Sequence, residues 1–297
     1  MKNMLFSPVM FARLTMGAFL LSLFTLQTAS AESFKLGVNA PRSVQETQAQ
    51  WQELGKYLSK ATGKQIDIVP LEVSKVFGDA SAKKVDFVLA NPNQTLMLKV
   101  KLNAFLLASL NGKQGSVFGG VVVAKKGGSI SKIEDLKGKP VSALGIQSAG
   151  GYLFQVYHLS QKGMQIKRDY GVFTTTSQDD SILAVQSGKS SAAFVRTGIL
   201  ENMAKEGKIK LDDFIILDER KDAKFPYLLT TELYPEYFVV ALPHVSKDVA
   251  AEIKTALIKM TASETAAQTA GIKGFIEPLS TTALENAMRA VKAPPFE

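Results

Sequence analysis

Two segments far apart in the chain repeat one design. Lys84-Val85-Asp86-Phe87-Val88-Leu89-Ala90-Asn91 is an apolar strand that ends in a polar residue and leads into a helix. Ser190-Ser191-Ala192-Ala193-Phe194-Val195-Arg196 does the same. Around both, short β-branched or aromatic runs alternate with stretches of helical period. Strands separated by helices argue for an α/β protein with parallel sheets and helices on both faces. Because the pattern runs once to about residue 126 and then restarts, it predicts two lobes rather than one long sheet.

The first unit is the more explicit. Phe34-Lys35-Leu36-Gly37-Val38 alternates as a strand, and Asn39-Ala40-Pro41-Arg42 turns the chain. Ser43 and Glu46 have the spacing of a capping box, and Val44, Trp51, Leu54, Tyr57 and Leu58 share one helical face up to Ala61. Ile66–Leu71 returns as a strand, Val73–Lys83 reads as a short helix, and Phe105–Leu110 and Val117–Ala124 read as strands. In the second unit, Asp179–Ser187 and Gly198–Ala204 are expected helices; Val172–Thr174, Phe214–Leu217, Tyr227–Thr231 and Tyr237–Leu242 are expected strands. From Ser246 onward the chain reads as helical. Lobe 1 is thus expected at residues 32–118 plus 234–297 and lobe 2 at 119–233. Extended hinge segments are expected near 117–126 and 225–242.

The ends and the composition bound the setting. Lys2 and Arg13 precede an apolar run from about Leu14 to Leu26, and Ala29-Ser30-Ala31 offers small residues for cleavage. Residues 1–31 therefore read as a signal peptide cut after Ala31, and the rest as a periplasmic protein. There is no cysteine, which excludes disulfides, a thiol nucleophile and thiolate metal sites. The net charge is +8, but no basic run reaches five residues, so nucleic acid is not an expected partner. Only His158 and His244 are present, widely separated, and no metal or other cofactor is expected.

Pro140–Leu159 carries the clearest functional signal. A strand to Leu144 is followed by the small-residue turn Gln147-Ser148-Ala149-Gly150-Gly151 and a helix beginning near Tyr152. A turn of this kind aims backbone N–H groups and the positive end of a helix dipole at one point, which suits an oxyanion.

The ordered series of local matches resembles the periplasmic phosphate/phosphite/phosphonate-binding protein family. It includes Trp51 with Tyr57-Leu58 and Thr62-Gly63-Lys64, Val85-Asp86-Phe87 with Asn91-Pro92, and Leu136-Lys137-Gly138-Lys139. It continues through Ser148 with Gly151-Tyr152-Leu153, and Ser177 with Asp179. Arg196-Thr197 and Glu232-Leu233-Tyr234-Pro235-Glu236 are similar to a branch found as sensory domains of histidine kinases. The resemblance implies the type II periplasmic binding protein fold: two lobes, each a mostly parallel sheet flanked by helices, joined by a two-segment hinge. It implies capture of a small ligand, commonly an oxyanion, for an ABC permease or a sensor. The family's hydroxyl-rich turn is reduced here to Ser148 followed by Ala149 and Gly150, and its Ser-His pair stands as Ser177-Gln178. The lost hydroxyls argue against a phosphonate site built in the family's way; Ala149 and Gly150 are expected to open space for a bulkier ligand.

The expected ligand-binding residues are Ser148, Ala149, Gly150, Gly151, Tyr152, Ser177, Gln178 and Arg196 in one lobe, with Asn91, Asn93, Asn39 and Arg42 in the other. Ser177 can equally be a helix cap, and Arg196 can equally pair with Glu201 or Asp179. Tyr234 reads as part of the hinge or as a lid. The leading reading is a monomeric periplasmic solute-binding protein that serves an ABC transporter at the inner membrane. The alternative is a ligand sensor signalling to a membrane histidine kinase. A periplasmic hydrolase is the distant third, since no Gly-x-Ser-x-Gly or His-Glu-x-x-His motif is present. No catalytic residue is assigned.

Overall fold

The computed structural model describes residues 32–40, 43–222 and 224–297. The expected signal peptide, residues 1–31, and Arg42 lie outside them. The first unit runs β1 (Ser33–Ala40), α1 (Val44–Thr62), β2 (Gln65–Glu72), α2 (Val76–Ser81), β3 (Phe87–Ala90), α3 (Pro92–Leu102), β4 (Phe105–Gly112) and β5 (Val117–Phe118). The second runs β6 (Gly120–Lys125), β7 (Pro140–Ala143), α4 (Phe154–Gln161), β8 (Gly171–Thr174), α5 (Gln178–Gln186), β9 (Ala192–Arg196), α6 (Ile199–Lys205) and β10 (Phe214–Ile216). The chain then returns through β11 (Tyr234–Pro235), β12 (Phe238–Ala241), α7 (Lys247–Lys259), α8 (Thr265–Ala270), β13 (Ile272–Ile276) and α9 (Thr282–Ala290).

Local chemistry sets the helix starts. Ser43 Oγ accepts the Glu46 N–H at 3.1 Å and donates to Glu46 Oε2 at 2.9 Å, so the spacing read from the sequence is a working cap. Gly63 closes α1 at φ 70°, a left-handed position that glycine adopts without penalty. Asn91 caps α3 through its side chain, with Pro92 at the first helical position.

The strands form two larger sheets, ordered β13-β4-β12-β3-β1-β2 and β10-β6-β9-β7-β8. Parallel pairing holds for β2-β1-β3 and for β8-β7-β9, the strands fed by β–α units. The remaining pairs are antiparallel, so both sheets are mixed. The cause is connectivity. β6 and β12 are the first main-sheet strands after the chain crosses between units, and each enters antiparallel to its neighbour. Each also lies beside one of the two similar segments, β9 and β3, which therefore hold equivalent places. β5 and β11 pair with each other as a separate ribbon at the crossings.

Buried apolar residues line both faces of each larger sheet. A further cluster joins Leu153 and Phe154 of the second unit to Leu284, Ala287 and Met288 of α9, with Phe118 and Tyr234 beside them. Tyr234 stacks on Phe154 at 4.1 Å between ring centroids, so it packs beside the crossing ribbon.

Four expected elements differ. Val117–Ala124 is not one strand: it divides at Gly119 into β5 and β6, which belong to different sheets. The C-terminal part is not helical throughout: β13 pairs with β4, and Gly274 bends it at φ 131°. Tyr227–Thr231 is not a strand. There Thr230 and Thr231 use hydroxyls where a strand would use backbone, accepting the N–H groups of Val122 and Gly120 at 3.0 and 2.9 Å. The helix expected near Tyr152 begins as a π-helical turn over Ala149–Leu153 and becomes α-helical only at Phe154.

Candidate ligand-binding site

The turn after β7 makes much of its own bonding. Ser148 Oγ accepts the Gly151 N–H at 3.1 Å, which caps the π-turn, and the Leu153 N–H returns to the Ser148 carbonyl. Gly150 does not open space. A methyl group on it would stand 2.7 Å from the Phe118 ring and 3.1 Å from Arg196 Cβ, so the missing side chain lets those two residues close over the turn. Ala149 is likewise buried, within the cluster around Phe118. Tyr152 turns away from the cleft and packs against the core of the second unit, where burial pushes its phenol up.

The strand end at β9 is built differently. Its last residue, Arg196, donates its backbone N–H to Gln178 Oε1 at 2.6 Å. Its guanidinium Nη2 pairs with Glu236 Oε1, not with the expected Glu201 or Asp179. Glu201 instead accepts the Leu228 N–H at 2.7 Å, and Asp179 pairs with Lys208 at 2.9 Å. The guanidinium carbon lies 4.2 Å from the centroid of Phe118 and 5.7 Å from that of Tyr237. Burial works against its charge, but Glu236 and Tyr237 more than offset that, and its pKa stays above the ordinary arginine value. Ser177 is a helix cap: its Oγ accepts the Asp180 N–H at 3.0 Å and donates to Asp180 Oδ2 at 2.8 Å.

From the first unit, Asn91 Nδ2 donates to Asn39 Oδ1 at 3.1 Å and to the Gln147 carbonyl at 3.2 Å. Asn93 Nδ2 donates to the Ile146 carbonyl at 3.3 Å. These two asparagines thus bridge the β3 turn to the β7 turn. Asn39 Nδ2 and Asn93 Oδ1 are buried without a partner among the described residues.

Two spaces result. One of about 10 Å³, lined by Ser148, Ala149, Gly150, Asn39 and Asn91 and also by Gln178, Arg196 and Tyr237, holds at most a water. The other, about 350 Å³, is lined by Asn39, Gln178, Arg196, Glu236 and Tyr237 together with Trp51, Phe118 and Tyr227. The structure thus brings Asn39, Gln178 and Arg196 together on a ligand-sized cavity. Ser148, Ala149, Gly150 and Asn91 face only the small space, and Gly151, Tyr152, Ser177 and Asn93 line neither.

Sequence reasoning missed Glu236, Phe118, Tyr237 and Gln155. Gln155 Nε2 donates to the carbonyls of Gly150, Val195 and Val121 at 2.7, 2.8 and 3.3 Å, tying the turn to the end of β9. Its signal was an amide set between the apolar Phe154 and Val156. His158 pairs with Asp218 at 2.7 Å and His244 with Asp86 at 3.0 Å, both off the cavity. Among the described residues no cluster of His, Asp and Glu could hold a metal ion.

Two mixed sheets, crossed twice by the chain and bordering a largely apolar cavity with a few polar and charged side chains on it, define a two-lobe solute-binding protein of the type II periplasmic fold. More particularly, residues 36–282 match the family of ABC transporter phosphonate periplasmic substrate-binding proteins, and the chain belongs to that family. It is 33% identical over 274 residues to the tetrathionate sensor histidine kinase TtrS of Salmonella typhimurium, covering 90% of this chain and 45% of that protein. It is 26% identical over 178 residues to the arginine-binding extracellular protein ArtP of Bacillus subtilis, covering 57% of this chain and 60% of that one. The chain thus spans about half the length of the curated relatives it matches. Among solved structures, PhnD1 from Prochlorococcus marinus in complex with methylphosphonate superposes with a TM-score of 0.70 at 19% identity, over 88% of this chain and 99% of that one. A binding component of a Pseudomonas aeruginosa phosphonate transporter gives 0.70 at 15% identity, over 88% of each chain. At these identities the structural likeness speaks for the fold.

Proposed function

We propose that the chain captures a small anionic solute in the cavity at Arg196 and delivers its closed form to a membrane partner. The observation that carries this is the guanidinium itself. It is fixed at the end of β9, borders a ligand-sized cavity, and has beside it Gln178 and the unpartnered Asn39 amide. Arginine at such a place can grip a carboxylate or sulfonate through parallel N–H bonds. The β5–β11 ribbon is the hinge, and lobes at about 32–118 plus 234–297 and 119–233 close until Asn91 and Asn93 reach the β7 turn. Binding without chemistry fits a site that neither histidine enters. The sequence before Glu32 supports export on a signal peptide cut after Ala31.

Family membership favours an ABC permease as the partner. The second reading, a sensor that presents its liganded form to a histidine kinase, is favoured by the likeness to TtrS across 90% of this chain. The same likeness puts sulfur oxyanions such as tetrathionate first among ligands to try. Thermal-shift screening against tetrathionate, thiosulfate, sulfate, methylphosphonate and small carboxylates tests the reading, because a ligand well above its Kd raises the melting temperature. At least one anion is expected to stabilise the protein in an Arg196-dependent way; no shift with any of them rejects the reading. Pull-down of a permease complex or of a kinase from membranes, with and without that anion, separates the two outputs.

A further inference from the structure

The cavity contains its own anion. Among the described residues that line it, the charged ones are Lys113, Arg196 and Glu236. Lys113 is exposed, whereas the Glu236 side chain is only 6% exposed and pairs with Arg196. Glu236 is also anchored: its backbone N–H bonds to the Ser116 carbonyl at 2.8 Å, and its second oxygen accepts the Tyr237 N–H at 3.3 Å. It lies between β11 and β12 and has no slack to swing away. Phe118 lies over the guanidinium face and Tyr237 close beside it, while Glu236 takes one of the terminal nitrogens. An incoming anion must use what remains of the guanidinium edge, next to a fixed carboxylate.

We propose that Glu236 is a charge filter that determines specificity. As the resident counter-anion of Arg196, it disfavours compact dianions such as phosphonates. It leaves the site to monoanions and to elongated anions whose charges stand apart at the two ends, as in tetrathionate. The proposal rests on the reading that anions bind at Arg196. Like charges brought together in a partly desolvated site repel far more than in water, so the filter acts on charge density and not on shape alone.

Isothermal titration of the mature wild-type protein with methanesulfonate and methylphosphonate, at a pH where the latter is a dianion, isolates charge at nearly constant shape. The sulfonate is expected to bind at least about tenfold tighter, and tetrathionate tighter still. Glu236→Gln should narrow the sulfonate-to-phosphonate ratio about tenfold by strengthening the phosphonate, while Glu236→Asp keeps the wild-type preference. A wild-type protein that binds the dianion as well as or better than the monoanion overturns the filter, even if Glu236→Gln does not fold. A folded Glu236→Gln with an unchanged ratio also overturns it. If neither the two sulfur anions nor methylphosphonate binds wild-type protein, or if binding survives Arg196→Ala, the reading of the site has failed and the filter with it.

Discussion

The ends of β7 and β9 lie in one sheet and face the same cleft, yet they do opposite work. The β7 end is a glycine-rich turn of the kind associated with oxyanions, but Ser148 caps its own turn and Gly150 is filled over by Phe118 and Arg196. The β9 end has no glycine-rich turn, and it carries the cation that borders the cavity. Turn chemistry of short range is thus used up in local packing, and under the proposed function a single long side chain, held by partners distant in sequence, is what meets the solute.

Substitutions can break this contrast. Arg196→Ala has the largest expected effect. Hydrogen bonds to a charged group contribute roughly 1.5–3 kcal/mol, so anion affinity should fall by at least about tenfold in titration. Glu236 is left buried without its partner, and chemical denaturation should register a loss of about 3 kcal/mol. Gln155→Leu comes next. It keeps the volume but removes the donor shared by Gly150, Val195 and Val121, and should cost about 2 kcal/mol in the same experiment. Affinity should weaken with it, because the β9 end is no longer tied to the turn.

Gly150→Ala sharpens the contrast from the other side. Its methyl group must displace Phe118 or Arg196, at about 1–2 kcal/mol of overpacking, and titration should register a severalfold loss of anion affinity. Equal or better affinity would mean that the turn is looser than its packing indicates. Ser148→Ala is expected to do least. Loss of the cap should cost about 1 kcal/mol in denaturation, with affinity within a fewfold of wild type. A loss at Ser148 as large as that at Arg196 would return the turn to the centre of the site.

Much of the scaffold was legible because its causes are local. The Ser43–Glu46 cap, the buried face of α1 and the likeness of β3 to β9 each depend on residues within a few positions of one another. β13 escaped notice because Ile272-Lys273-Gly274-Phe275-Ile276 is short, carries a glycine and sits between helices; only pairing with distant β4 makes it a strand. Thr230 and Thr231 looked like strand residues because β-branched side chains favour strands, but here their hydroxyls serve β6 directly. The lining of the candidate cavity was half legible for the same reason. Arg196, Gln178 and Asn39 follow from where strands end and helices begin. Glu236, forty residues beyond Arg196 in the chain, is brought to it only by the second crossing between the lobes.

The most direct test is a crystal structure of the mature protein with whichever anion gives the largest thermal shift. The account predicts that anion in the larger cavity, within hydrogen-bond distance of the Arg196 guanidinium, with Glu236 still paired to it. An anion seated instead on the backbone of Ser148–Gly151, with Arg196 turned away, would contradict it.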